Sequence, residues 1–180
     1  RRFDEKEHVS GITQLKSSVQ KAIKNKIVEQ FPTVENYINQ ILPKKDSLRI
    51  VKCHDHIEIL VNGNGELLFF RQREGQYFPT LRLLHKCESE TFPGMSVFGM
   101  NKKTEMRSPF SAPMKVTPSK SHGYFGQGQV EAIMAEGKEH SLAIGYTAMS
   151  TDDIATINKG IGVENIHYLN DGLWHMKPVK

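Results

Sequence analysis

The sequence predicts an α+β protein: an N-terminal α/β domain with a small antiparallel sheet, followed by a second, β-rich domain. Three observations predict this. Apolar residues at helical spacing open the chain, a stretch of two-residue alternation follows, and residues 131–174 read strand, strand, short helix, strand. Residues 131–174 are too short to bury their apolar faces alone, residues 1–87 carry a core of their own, and 180 residues suit one medium domain or two small ones sharing an interface.

The helical signal begins at Ile12. Ile12, Leu15, Val19, Ile23, Ile27 and Phe31 are spaced by three and then by fours, which draws one stripe along a helix. Ser10 is the expected cap, residues 1–10 read as a charged, frayed arm, and Pro32 stops the helix near Gln30 or Phe31. Lys16, Lys21, Lys24 and Lys26 fall off the stripe, either as solvated charge or as contacts to RNA or a partner. A second short helix is expected from Val34 to Leu42, with Thr33 as cap and Pro43 as stop.

The period then becomes two-fold. Leu48–Cys53 and Ile57–Val61 read as strands, and Asn62-Gly63-Asn64-Gly65 marks a hairpin because Asn and Gly tolerate the positive φ of a tight turn. Glu66–Phe70 returns as a third strand. A polar loop follows from Arg71 to Thr80, and Leu81, Leu83 and Leu84 lead into the next unit. Arginine forks beside Tyr77 and Phe78 suit phosphates and stacked bases; the same aromatics also suit packing between two domains.

Residues 88–130 carry prolines and glycines and no sustained period. Short strands near Met95–Met100 and Met114–Val116 fit there, as does an irregular loop. From Glu131 the pattern is clear again. EAIMA and SLAIGYTAM read as strands joined at Glu136-Gly137-Lys138, and Ser150 or Thr151 caps a short helix with Asp152 and Asp153 in its first turn. Gly160 and Gly162 break that helix before the strand ENIHYL and a turn at Asn170-Asp171-Gly172.

Composition narrows the function classes. The 38% apolar and 24% charged content is that of an ordinary globular chain, and no run approaches the roughly 18 apolar residues of a membrane span. The start, RRFDEKEHVS, lacks the apolar stretch of a secretory signal and lacks a methionine, as a truncated or tagged start would. The formal charge of +4 is uneven: residues 1–87 hold fifteen Lys or Arg against ten Asp or Glu, and residues 131–180 hold four against seven. The first half is therefore the better phosphate-facing surface. Two cysteines exclude a disulfide framework and favour a reducing compartment.

Chemistry is thinly marked. Cys53, His56, His85 and Cys87 would make a competent zinc set if strands brought them together, yet strand side chains alternate between faces. A Cys–His nucleophile is conceivable at the same place. No phosphate-binding loop, dinucleotide fingerprint, HExxH or GxSxG is present, and Gly160-Ile161-Gly162 follows its helix where a phosphate cradle must precede one. No catalytic residue and no cofactor is expected.

Several long words resemble one family. Pro43-Lys-Lys-Asp46, His56-Ile-Glu-Ile-Leu60, Gly65-Glu-Leu-Leu-Phe-Phe-Arg-Gln-Arg-Glu-Gly75, Pro79-Thr-Leu-Arg-Leu-Leu-His-Lys86 and Asn158 to Lys177 closely resemble the malignant T-cell-amplified sequence family. The likeness covers residues 3–87 and 131–177, and residues 88–130 stand apart as atypical. The resemblance implies a pre-PUA α/β domain over residues 1–87 and a PUA-like, RNA-binding β-barrel domain over 88–180. It also implies a non-enzymatic cytoplasmic translation factor, working as a heterodimer with density-regulated protein on the small ribosomal subunit. Its roles would be non-canonical initiation, reinitiation and removal of deacylated tRNA, with the PUA domain facing the tRNA acceptor end. Arg71, Arg73, Tyr77, Phe78, Arg82 and Lys86 are the residues then expected to face RNA or the seam between domains. The partner-binding face stays open, and Trp174 is expected to close the barrel. Two other readings remain: a protein-interaction module without intact tRNA binding, and a Cys/His metal protein.

Overall fold

A computed structural model describes residues 8–88, 105–106, 127–135, 140–157 and 159–179. Strand β1 (Val9–Gln14) leads into helix α1 (Ser17–Gln30), a 3-10 turn over Pro32–Asn36 and the single-turn helix α2 (Ile38–Ile41). Strands β2 (Arg49–Cys53), β3 (Ile57–Val61), β4 (Leu67–Gln72) and β5 (Phe78–Pro79) follow, then helix α3 (Leu81–Glu88). The second part contains β6 (Glu105–Met106), β7 (Val130–Ala135), β8 (Ala143–Thr147), α4 (Thr151–Ile157), β9 (Val163–Tyr168) and α5 (Gly172–His175).

The opening segment departs from the expected helix. Val9–Gln14 is a strand paired antiparallel with β2, and α1 starts only at Ser17. Ser10 caps nothing; its hydroxyl donates to the Lys52 carbonyl across the sheet at 3.0 Å. The spacing of Ile12, Leu15 and Val19 fits a helix face, but a β-branched segment beside an open sheet edge gains more by pairing, so tertiary context overrides the local period. Only Ile23 and Ile27 of the stripe are buried within α1, while Val19 is exposed. The expected helix over Val34–Leu42 likewise breaks in two at Tyr37, and Thr33 lies inside the 3-10 turn, whose cap position is Phe31. Its apolar residues still reach the core: Val34, Ile38, Ile41 and Leu42 are all buried.

The first sheet runs β1-β2-β3-β4-β5, antiparallel throughout, and both of its faces are apolar. One face, with Leu60, Leu68 and Phe69, packs under Ile23, Ile27, Phe31, Val34 and the α3 leucines. The other face presents Val51, Ile59, Val61 and Leu67 to Leu173, Met176 and Val179 from the far end of the chain. Each such buried aliphatic side chain is worth about 1.5–3 kcal/mol of transfer free energy. The domain that opens the chain is therefore completed by the residues that close it.

The second sheet runs β6-β7-β8-β9, with β6 parallel to β7 and the other pairs antiparallel. Val130, Ala132 and Ile144 of this sheet join the main core of the first domain, with Tyr146, Leu169 and Trp174 packed against it. Ile133, Ala143 and Val163 form a separate small core on the opposite side. The two sheets thus share one continuous apolar interior. The cap of α4 is as expected: Ser150 Oγ accepts from the Asp153 N–H at 3.1 Å and donates to Asp153 Oδ2 at 2.7 Å. The turn expected at Glu136-Gly137-Lys138 and the strands near Met95–Met100 and Met114–Val116 lie outside the described residues.

Candidate nucleic-acid interface

Helix α3 supplies the frame. Leu81, Leu83, Leu84 and Cys87 are buried, which turns Arg82 and Lys86, four residues apart, to the exposed side. Thr80 starts the helix: its Oγ1 accepts from the Leu83 N–H at 3.2 Å and donates to the Leu67 carbonyl at 2.8 Å. No periodicity over Leu81–Leu84 distinguishes this helix from a loop in so short a word, where the leucines read only as a lead into the next unit.

Arg82 reaches across the seam between the sheets. Its guanidinium carbon lies 5.6 Å from the centroid of the Trp174 ring, and it also donates to the Trp174 carbonyl. His85 meets the same ring edge-on at 5.4 Å and lies 5.0 Å from the His140 ring. His85 Nε2 sits 2.7 Å from the Ser141 carbonyl and must be the donor, because a carbonyl only accepts. Arg82 and His140 are exposed and Trp174 and His85 half-buried, with Lys86, His175 and Lys177 exposed nearby in sequence. A cation over an indole face, beside two imidazoles, can stack bases and pair phosphates while sitting on rigid elements from both domains.

Trp174 is held in place by Asp171. The Asp171 carboxylate caps α5, accepting from the Trp174 N–H at 2.8 Å and the Tyr168 N–H at 3.0 Å. His167 Nδ1, in a ring only 1% exposed, lies 2.6 Å from the same carboxylate. Burial alone would push the Asp171 carboxyl up; the hydrogen bonds from His167 and the two backbone amides outweigh it and hold the group below the usual carboxylate range. Phe70 of the first domain meets the His167 ring edge-on at 5.6 Å, so this device also spans the seam.

The six residues expected to face RNA or the seam between domains do not gather on one surface. Arg71 turns inward, its side chain 13% exposed, with Nε 2.9 Å from Glu58 Oε2 and its guanidinium 5.1 Å from the Tyr77 ring. Tyr77 is only 5% exposed and packs in the main core, and its own hydroxyl is pushed up by burial. Phe78 stacks on Phe70 with ring centroids 5.5 Å apart. Arg73, at φ 55°, lines a concavity with Ser10, Lys52, His56 and Glu74. Arg82 and Lys86 line a different one with Glu66 and Pro178, where Lys86 Nζ lies 3.7 Å from Glu66. His140 and His175 fall outside the residues expected to face RNA, and Trp174 is expected from the sequence only to close the barrel. Trp174 followed by His175 and Lys177 was the available signal. Lys24, left open between solvent and partner, is occupied: it donates to the Leu42 carbonyl, and burial pulls its ammonium down.

The metal alternative is not assembled. Cys53 lies in the core on one face of the first sheet and Cys87 in the core on the other, while His56 is exposed at a turn and His85 is bonded to Ser141. The body of the first sheet separates the two cysteines, and only Cys53 of the four lies in a strand. Burial pushes the Cys53 thiol up to about 11, the reverse of what a thiolate ligand or nucleophile needs. Among the described residues no group of three or more His, Cys, Asp or Glu side chains could hold a metal ion. Nor, among them, is any helix long and apolar enough to cross a membrane.

A helix-covered five-stranded sheet sharing its core with a second small sheet defines a two-domain protein of the pre-PUA and PUA class. Residues 3–87 match the family described as "Pre-PUA-like domain", and residues 112–172 match "elF2D, PUA domain". The chain belongs to the malignant T-cell-amplified sequence family. It is 53% identical to malignant T-cell-amplified sequence 1-A of Xenopus laevis over 186 residues, covering 100% of this chain and 99% of the frog protein. It is 40% identical to translation machinery-associated protein 20 of Eremothecium gossypii, covering 97% of each. In fold it is similar to a hypothetical protein of Pyrococcus horikoshii OT3, with a TM-score of 0.64 at 20% identity over 91% of this chain and 98% of that one. A PUA domain protein of Aeropyrum pernix K1 gives 0.55 at 15% identity, over 91% and 89%. The relatives align through residues 88–130, and the PUA match begins inside them, so the resemblance extends into the segment set apart as atypical.

Proposed function

We propose that this chain is a non-catalytic translation factor that meets RNA on the small ribosomal subunit through the seam between its two domains. It works there with density-regulated protein in non-canonical initiation, reinitiation and post-termination tRNA release, in the cytoplasm, with the PUA domain towards the tRNA acceptor end. Family membership supports the setting, and the name of the fungal relative places that protein with the translation machinery. The observation that carries the RNA-facing part is the Arg82 guanidinium 5.6 Å from the Trp174 ring, with Lys86 one helical turn away on the same exposed side.

Phosphate contacts of this kind confer affinity without sequence reading, and their strength falls with salt. Co-sedimentation with purified small ribosomal subunits, with and without density-regulated protein, tests the proposal. The wild-type chain should pellet with the subunit at low salt, and the double variant Arg82→Glu, Lys86→Glu should not. Equal pelleting of both across a salt series would remove the seam from the RNA interface.

A further inference from the structure

We propose that β1 is a docking edge for an extended, alternating acidic and apolar segment of a protein partner, which adds to the first sheet as a sixth strand. The inference deepens the partner-dependent reading above, and rests on it only for the existence of a partner.

The register of the sheet carries the argument. Ile12 pairs with Val51, Val51 with Ile59, Ile59 with Phe70 and Phe70 with Phe78, so one apolar row crosses all five strands. Val51 and Ile59 are fully buried, yet Ile12 at the end of the row is 46% exposed. Natural edge strands are blunted by a lysine, a proline, an inward charge or a bulge. The β1 word VSGITQ has no charge and no proline, its register irregularity lies between Val9 and Gly11 and leaves Gly11–Gln14 in step with β2, and among the described residues β1 pairs with β2 alone. An added strand would place an apolar side chain beside Ile12 and complete the row.

The opposite face of the same strands states the charge. Gly11 pairs with Lys52, Lys52 with Glu58 and Glu58 with Arg71, a row that alternates in sign and ends on a residue without a side chain. A Cβ built on Gly11 meets nothing within 4 Å. Glu58 is engaged by Arg71 at 2.8 Å, and the exposed Lys52 ammonium makes no ion pair among the described residues. A carboxylate on an incoming strand beside Gly11 would reach Lys52 across two inter-strand steps of about 4.8 Å each, within the combined length of the two side chains. Exposed Lys16 just beyond the strand adds to the same field. A second copy of this chain would bring lysine against lysine, whereas an acidic segment completes both rows. This is recognition by strand addition, with main-chain pairing for affinity and alternate side chains for selection.

The test uses the full chain labelled for NMR and three synthetic peptides: alternating Glu/Val, alternating Lys/Val, and Glu/Val with alternate backbone nitrogens methylated. The Glu/Val peptide should shift the amides of residues 9–14 and bind at least tenfold more tightly than the other two. Ile12→Asp, at an exposed position that leaves the fold intact, should weaken it at least tenfold, and Lys52→Glu should reverse the preference towards Lys/Val. No binding at millimolar peptide, shifts confined to other elements, or a dimer held through β1 in sedimentation would each overturn the proposal. A pull-down with density-regulated protein separates this inference from the function it deepens. Capture by wild type and Ile12→Asp alike overturns strand addition and leaves that function standing. Capture by neither, with the peptide still docking on β1, removes the assigned partner and supports the edge.

Discussion

Val179 closes onto Gly65, joining the end of the chain to the β3–β4 hairpin. The Val179 N–H donates to the Gly65 carbonyl at 2.9 Å, and Arg49 donates to the Val179 carbonyl at 2.8 Å. Gly65 sits at φ +81°, and a Cβ there would overlap the Val179 backbone. Two independent demands, the turn and the close approach, fall on one glycine. Gly65→Ala is expected to cost about 2 kcal/mol or more, and Val179→Ala about 2 kcal/mol through the lost apolar contact. Urea unfolding of both variants measures this; a Gly65→Ala variant within about 0.5 kcal/mol of wild type would show that the tail does not hold the first sheet.

Acid should loosen the same end of the molecule. A carboxylate held below its usual range contributes stability that is present above the unfolded value of about 4 and is lost as pH falls through the folded value. Asp171→Asn should therefore lower stability at pH 6 and give a shallower decline from pH 5 to pH 3. Unfolding midpoints measured over that range decide it. Parallel curves for wild type and variant would mean that the His167 and backbone contacts do not depress Asp171.

Arg71 and Arg82 should part company in RNA assays, though both come from the same basic stretch. Arg82→Ala should weaken RNA association several-fold and reduce the slope of log K against log salt by about one. Arg71→Ala should leave that slope unchanged and lower stability by about 1–3 kcal/mol, because it strips a half-buried Glu58 of its partner. Filter binding across a salt series, paired with unfolding curves, distinguishes the two. A slope change at Arg71 would place that guanidinium on the RNA surface after all.

The cysteines should behave as core residues. With its thiol pushed up to about 11, Cys53 is protonated at pH 8, and Cys87 is buried. Iodoacetamide should label neither in the native protein within the time that labels both in urea, read by intact mass. Elemental analysis of protein purified without added metal should find no stoichiometric zinc. Rapid native labelling of Cys53, or one zinc per chain, would reopen the metal alternative.

The residues show where local reading succeeds. Asn62–Gly65 is a hairpin because no other short word so favours positive φ. Ser150 caps α4 because the hydroxyl and Asp153 stand three residues apart. Both are decided within four residues of chain. Ile12 and Leu81 show the opposite. A period of three and four over Ile12–Val19 and a leucine cluster at Leu81–Leu84 each admit more than one element, and neighbours far away in sequence choose between them.

By itself the sequence determined the α+β class, the second, third and fourth strands of the first sheet with their tight turn, and the strand, strand, helix, strand order of the second part. Periodicity and turn chemistry are local, and such signals survive in one dimension. Only the tertiary structure decided that Val9–Gln14 pairs as an edge, that Tyr77 and Arg71 fold inward, and that Arg82 meets Trp174 across 92 positions of chain. It also decided that Val179 returns to cover the sheet begun at Val9. Those outcomes depend on which apolar faces remain uncovered once the elements assemble, and no stretch of the chain carries that information alone.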